Sequence, residues 1–226
     1  MSIIFPVIET FSPLIPLITY VIIKPKRRKW LTTLIAYSVV YIPFIAYANY
    51  LQLMVTPNII IFVFITIMTF CCFGLIISFL LNSKLFSFIN YIAIGIVTIF
   101  SITNALWWEK LKLYNSYSSS LSCIILICYC LYYYWYQIQN PKDLFIYRQP
   151  SFWMITGIFI YCGGNFFVFS NYGELCRQAQ SLTNAGLREQ ANKLWGFAGL
   201  IWIVADFLIL FTNIFFAKAI LCSRYK

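Results

Sequence analysis

The strongest constraint in this 226-residue sequence is a succession of apolar blocks, each too long for a strand or an ordinary core helix. A helix rises about 1.5 Å per residue, so roughly 20 apolar residues cross the roughly 30 Å hydrocarbon core of a bilayer. Seven blocks reach that length, near 3–23, 30–50, 57–81, 85–106, 115–137, 150–170 and 194–217. In lipid every backbone N–H and C=O must be satisfied internally, which helices achieve and open strands do not. The expected fold is therefore all-α, a polytopic seven-helix bundle forming a single transmembrane domain over 1–226. Composition removes the soluble alternative: 62% of residues are hydrophobic and 10% charged, against about 25% charged in a soluble domain. The first block has no basic leader and contains Glu9, Pro6, Pro13 and Pro16. It is expected to be a retained, proline-bent span rather than a signal peptide.

Basic residues set the orientation. With the N-terminus outside, eleven Lys and Arg fall on the cytoplasmic side (Lys24, Lys26, Arg27, Arg28, Lys29, Lys84, Lys142, Arg148, Lys218, Arg224, Lys226). Five fall on the other (Lys110, Lys112, Arg177, Arg188, Lys193). Cytoplasmic loops carry such an excess, so the topology is expected to be N-out/C-in, in a cell inner membrane. Trp107, Trp108 and Trp195 then mark the outer interface and Trp30, Trp135 and Trp153 the inner one. The net charge of +10 is thus a topology signal. Its residues lie between apolar blocks, so the expected partner is the lipid bilayer and not nucleic acid.

Several chemistries drop out. There is no histidine, which removes the usual general base and the commonest metal ligand. The six carboxylates (Glu9, Glu109, Asp143, Glu174, Glu189, Asp206) are scattered. The eight cysteines fall mostly in apolar runs without a CxxC, as small packing residues do. No metal, cofactor, disulfide framework or catalytic set is expected, and the protein is not expected to be an enzyme.

Ionisable and amide side chains inside spans are costly, and so are candidate sites. Asp206 lies twelve residues into the seventh block, roughly 18 Å along a helix and near the midplane. Asn213 shares its face, and Glu9, Asn49, Asn104 and Asn165 occupy the outer halves of other spans. These six would line an outward-facing polar pocket that binds a ligand or a proton. The structural alternative is that they fix helix packing through interhelical hydrogen bonds. Asp206 is expected to face the bundle interior with a polar partner from span one, two or six, Asn165 first. Gly157, Gly163 and Gly164 read as a packing face that lets a neighbouring backbone approach. Residues 171–193 are polar, with Leu175, Ala179 and Leu182, then Leu187, Ala191 and Leu194 at helical spacing. Broken at Asn184 and Gly186, they are expected to form two short amphipathic helices at the outer surface.

Pro150, Phe152, Trp153, Gly157, Ile158, Ile160, Tyr161, Gly164, Asn165 and Phe167 form a Pro-x-Phe-Trp helix start continuing as Gly-Ile-x-Ile-Tyr-x-x-Gly-Asn-x-Phe. This pattern, over the second half of the chain, resembles uncharacterised multi-pass inner-membrane proteins of Bacteroidetes-type bacteria. The resemblance implies a signalling role beside a sensor histidine kinase. Two functions follow as expectations. One is a sensory module, with a ligand in the outward cavity or a relay to a cytoplasmic partner. The other is a transporter or channel for a small molecule, ion or proton using the intramembrane carboxylates.

Overall fold

The computed structural model describes residues 4–54, 58–109, 114–141 and 145–223. Asp143 and parts of the connections lie outside the described residues. The fold is an all-α polytopic bundle, and among the described residues there is no strand. The helices are α1 (Ile4–Phe11), α2 (Leu14–Ile23), α3 (Lys29–Leu53), α4 (Ile59–Leu81), α5 (Lys84–Thr103), α6 (Ser116–Gln139), α7 (Pro150–Asn184) and α8 (Arg188–Cys222). A π-turn, Asn104–Trp108, extends α5, and a short 3-10 turn, Ile146–Arg148, precedes α7. Six of these helices are long and apolar enough to cross a membrane. The first block is also helical, but it is broken in two.

The helices close into a ring. α1 and α2 pack on α3 and α8, α3 on α4, α4 on α6, α6 on α7, and α7 on α8. The first and last spans are therefore neighbours. α5 stands outside the ring against α4 and α6, with Leu85, Phe88, Ile92, Ile96 and Ile99 exposed on its outer face. The core gathers Phe70, Phe73 and Ile77 of α4 with Leu126 and Tyr133 of α6 and Met154 of α7. Because lipid is as apolar as these side chains, close packing rather than water exclusion holds them.

The α7–α8 pair shows how. Along α8, Ala191, Ala198, Ala205, Thr212 and Ala219 recur every seventh residue and all are buried. Along α7, Ile155, Ile158, Cys162, Asn165, Phe169, Gly173, Cys176 and Ala179 are buried at steps of three or four. A sevenfold small-residue repeat lets two helices run side by side at close range over many turns. Gly157 and Gly164 belong to this contact: a Cβ at Gly157 would lie 3.0 Å from Phe215 Cβ, and one at Gly164 would collide with Leu208. Gly163 meets nothing within 4 Å, so it lies off the packing face.

The outer segment takes a different form from the expected one. Residues 171–193 do not lie as separate short helices; they continue α7 and α8, each of 35 residues, or about 52 Å. No Pro or Gly-rich break follows Phe169 to end the helix, so the backbone ladder carries on past the apolar block. The break comes where the sequence puts it. Gly186 has φ +81°, and its amide donates to the Thr183 carbonyl while that of Leu187 donates to Leu182. This paired C-terminal cap needs a left-handed residue at the glycine position. The bundle thus has a hairpin end, at Gly186, and a basic end, at residues 24–29 and 82–84.

Candidate functional site

The break between α1 and α2 is dictated by proline. Pro13 has no N–H to give the Glu9 carbonyl, and Pro16 has none to give Ser12. α1 therefore closes with the Ser12 amide on the Ile8 carbonyl at 2.9 Å, and α2 opens with the Ile15 amide on the Ser12 carbonyl at 3.0 Å. Both prolines fall at the start of α2, where a missing amide costs least. Side chains from the ring tie this break down. Asn213 Nδ2 donates to Ser12 Oγ at 3.1 Å, and Asn49 Nδ2 donates to Thr10 Oγ1 at 3.1 Å. Thr212 Oγ1 donates to the Gly157 carbonyl at 3.2 Å, linking α8 to α7 at the same level.

Glu9 lies one turn before this break on α1, and Asp206 lies on α8. Both are buried, with Asp206 1% exposed and Glu9 4%. They are electrostatic neighbours, and the Tyr41 hydroxyl and Asn49 amide lie within hydrogen-bonding reach of the Glu9 carboxyl. Asp206 Oδ1 has no hydrogen-bond partner among the described residues. Next to the break, a space lined by Pro13, Tyr37, Tyr41, Phe73, Tyr161, Ile209, Thr212, Asn213 and Phe216, and by neither carboxyl, has room for about one water. Two carboxyls sharing a low-dielectric interior are not both charged unless a cation sits with them; otherwise they hold a proton.

A second polar cluster lies toward the hairpin end, just beyond α5. In an α-helix residues five apart lie on different faces, but the wider π-turn brings them nearly into line. The Glu109 amide donates to the Asn104 carbonyl at 2.9 Å across that turn, and Asn104 Nδ2 donates to Glu109 Oε2 at 2.5 Å. The other carboxyl oxygen caps α6, accepting from the Ser116 amide at 3.1 Å and the Ser116 hydroxyl at 2.7 Å. A carboxylate there complements the helix N-terminus. Arg177, on the extension of α7, lies 3.9 Å away, pairs with Glu174 at 3.0 Å and stacks over Tyr117. Burial raises the Glu109 carboxyl above its ordinary value, against the opposing pull of Ser116, Asn104 and Arg177. Tyr114, Tyr172 and Trp202 pack as an aromatic layer, with ring centroids 4.8–5.0 Å apart at the Trp202 contacts.

The sequence candidates therefore divide. Glu9, Asp206, Asn49 and Asn213 gather around the α1–α2 break. Asn104 joins Glu109 and Asn115 instead, donating to Asn115 Oδ1 at 2.7 Å. Asn165 is fully buried in the α7 seam, and neither its Nδ2 nor its Oδ1 has a hydrogen-bond partner among the described residues. The expected Asp206–Asn165 hydrogen bond is not formed; Asp206 instead acts electrostatically on Glu9 of span one. Tyr41, Ser12, Glu109, Ser116 and Arg177 were not singled out by sequence, although the Ser12-Pro13 step marks the break. Among the described residues no three acidic or cysteine side chains gather as a metal site. In comparisons with known proteins, no family model, no curated protein and no solved structure matches this chain.

Proposed function

We propose that this integral membrane protein is a proton or small-cation transporter or channel, with Glu9 and Asp206 as its ion-binding pair. One observation carries the reading: two buried carboxyls, on the first and last helices, interact electrostatically, and one of them lies on a helix broken inside the bundle. Discontinuous helices and intramembrane carboxylates recur at ion-coupling sites, because freed backbone carbonyls and a titratable group together bind and release a small cation. The small space next to the break suits a proton carrier better than an organic ligand. Under the N-out orientation, Glu9 would be reached from outside past the Tyr114–Trp202 layer. The test is a vesicle assay with the full chain, valinomycin, a potassium gradient and a trapped pH dye. Wild type should admit protons, while Asp206→Asn and Glu9→Gln should each remove the flux and still yield folded, inserted protein. Identical dye traces from wild type, Asp206→Asn and empty vesicles would rule the reading out.

A second reading, a sensory module, is favoured by the α7–α8 hairpin. It is longer than a bilayer crossing requires, and in the N-out topology its tip would meet the outside. The partner implied by the resemblance is a histidine kinase in a bacterial inner membrane. Co-purification of a kinase that survives Asp206→Asn, without proton flux from wild type, would favour this reading over the first.

A further inference from the structure

At the basic end, between the start of α3, the end of α4 and the start of α5, lies an open groove of about 600 Å³. Arg28, Lys29 and Lys84 line it together with Ser83 and Asn82, and Arg27 joins Arg28 and Lys29 around a smaller recess next to it. No ion pair involves these four cations among the described residues. The described carboxylates all lie elsewhere: Glu9 and Asp206 in the interior, Glu109, Glu174 and Glu189 toward the hairpin end. Among the described residues the cavity is therefore lined by cations and holds no anion of the chain's own. Its floor is apolar. Trp30 is buried beneath it, Phe79 sits under the Lys29 ammonium at 5.9 Å, and Phe88 and Tyr91 continue the wall onto the exposed face of α5. That face, with Leu85, Ile92, Ile96 and Ile99, runs the length of a lipid tail and is left uncovered by the ring.

We propose that this groove binds an anionic phospholipid, with the headgroup phosphate among Arg28, Lys29 and Lys84 and the acyl chains along α5. A phosphodiester matches the charge of the groove, and the adjoining strip of Phe and Ile matches the tails. A free anion would use only the first of these. Basic pockets between helices on one membrane face recognise headgroups in this way.

The experiment is native mass spectrometry of the full-length protein in detergent, titrated with phosphatidylglycerol, with phosphatidylcholine of the same chains, and with inorganic phosphate. Wild type should retain phosphatidylglycerol over phosphatidylcholine. Each cation near an anionic headgroup contributes roughly a fivefold factor, so Arg28→Gln/Lys29→Gln/Lys84→Gln should lower that retention by roughly a hundredfold. Lys84→Gln alone should lower it by about fivefold if the triple variant does not fold. Arg148→Gln/Lys218→Gln, which removes charge outside the groove, should leave it unchanged. Equal retention of the two lipids by wild type overturns the proposal. So does an equal loss in the Arg148/Lys218 variant, which would mean diffuse charge, or full displacement by inorganic phosphate, which would mean a free-anion site.

Discussion

Gly173→Ala tests whether the Glu109 cluster is held by close approach of α7 to α6. A Cβ built at Gly173 falls on Ser116 Cβ and Oγ, far inside contact distance. Ser116 is buried and is the first residue of α6, so it cannot rotate away without releasing Glu109. Overpacking of this kind costs about 1–3 kcal/mol. Displacing the two Ser116 hydrogen bonds to the carboxyl adds about 1–3 kcal/mol, and the better helix propensity of Ala returns about 0.5–1 kcal/mol. The net expectation is a loss of about 1–5 kcal/mol. Gly163→Ala is the control on the same helix: its Cβ meets nothing within 4 Å, so it should be neutral or gain about 0.5–1 kcal/mol. The assay is reversible unfolding by SDS in mixed micelles, followed by tryptophan fluorescence. Ser116→Gly removes the colliding atoms, so Gly173→Ala should cost much less in that background, a coupling above about 1 kcal/mol. If Gly173→Ala is no more destabilising than Gly163→Ala, or its cost is the same with Ser116→Gly, the close-approach argument fails.

The same cluster has a pH signature. A carboxyl raised above its ordinary 4.5 by burial holds its proton more tightly folded than unfolded. Its contribution is thus fully present below about pH 4.5 and is lost as pH rises through the raised value. Glu109→Gln should flatten that decline in thermal unfolding curves taken across a pH series; parallel slopes in both proteins would contradict it. Gly186→Ala, at φ +81°, should cost about 1 kcal/mol because the cap position is left-handed, and an unchanged unfolding midpoint would refute this. In intact cells, an impermeant maleimide should label Arg188→Cys and spare Arg27→Cys relative to the unmodified chain. The reverse pattern would overturn the N-out topology.

The spans were legible because block length is a direct physical requirement of the bilayer, and the proline-bent first span was legible because Pro13 and Pro16 cannot donate. The direction of residues 171–193 was not. Their helical spacing announced helices, but polarity alone does not say whether a helix lies along an interface or continues out of it. The deciding signal was continuity: the seven-residue repeat of small side chains from Ala191 through Thr212 to Ala219 crosses the expected surface–span boundary without a change of phase. The Glu109 cluster was illegible for another reason. A π-turn has no strong composition signature, and it alone makes Asn104 and Glu109 neighbours; Ser116 and Arg177 reach them only through tertiary packing. Asn165, on the sixth span, was the first-choice partner for Asp206. Its place in the α7 seam ties it to the helix–helix contact instead.

The unbroken length of α7 and α8 has a mechanical consequence. Neither helix contains proline beyond the first residue of α7, and their seam is continuous, so the pair bends little and moves as one stiff rod. Asp206 lies eighteen residues from Arg188, roughly 27 Å below the turn. A tilt of the pair by about 5° about its basic end, near Cys222, therefore carries Asp206 sideways by about 2 Å and the Gly186 turn by about 5 Å, at the roughly 1.5 Å rise per residue of a straight helix. Any change at the carboxyl pair that shifts α8 by a fraction of an ångström is thus magnified at the hairpin tip, and a load on the tip is geared down to a small, forceful displacement at the carboxyls.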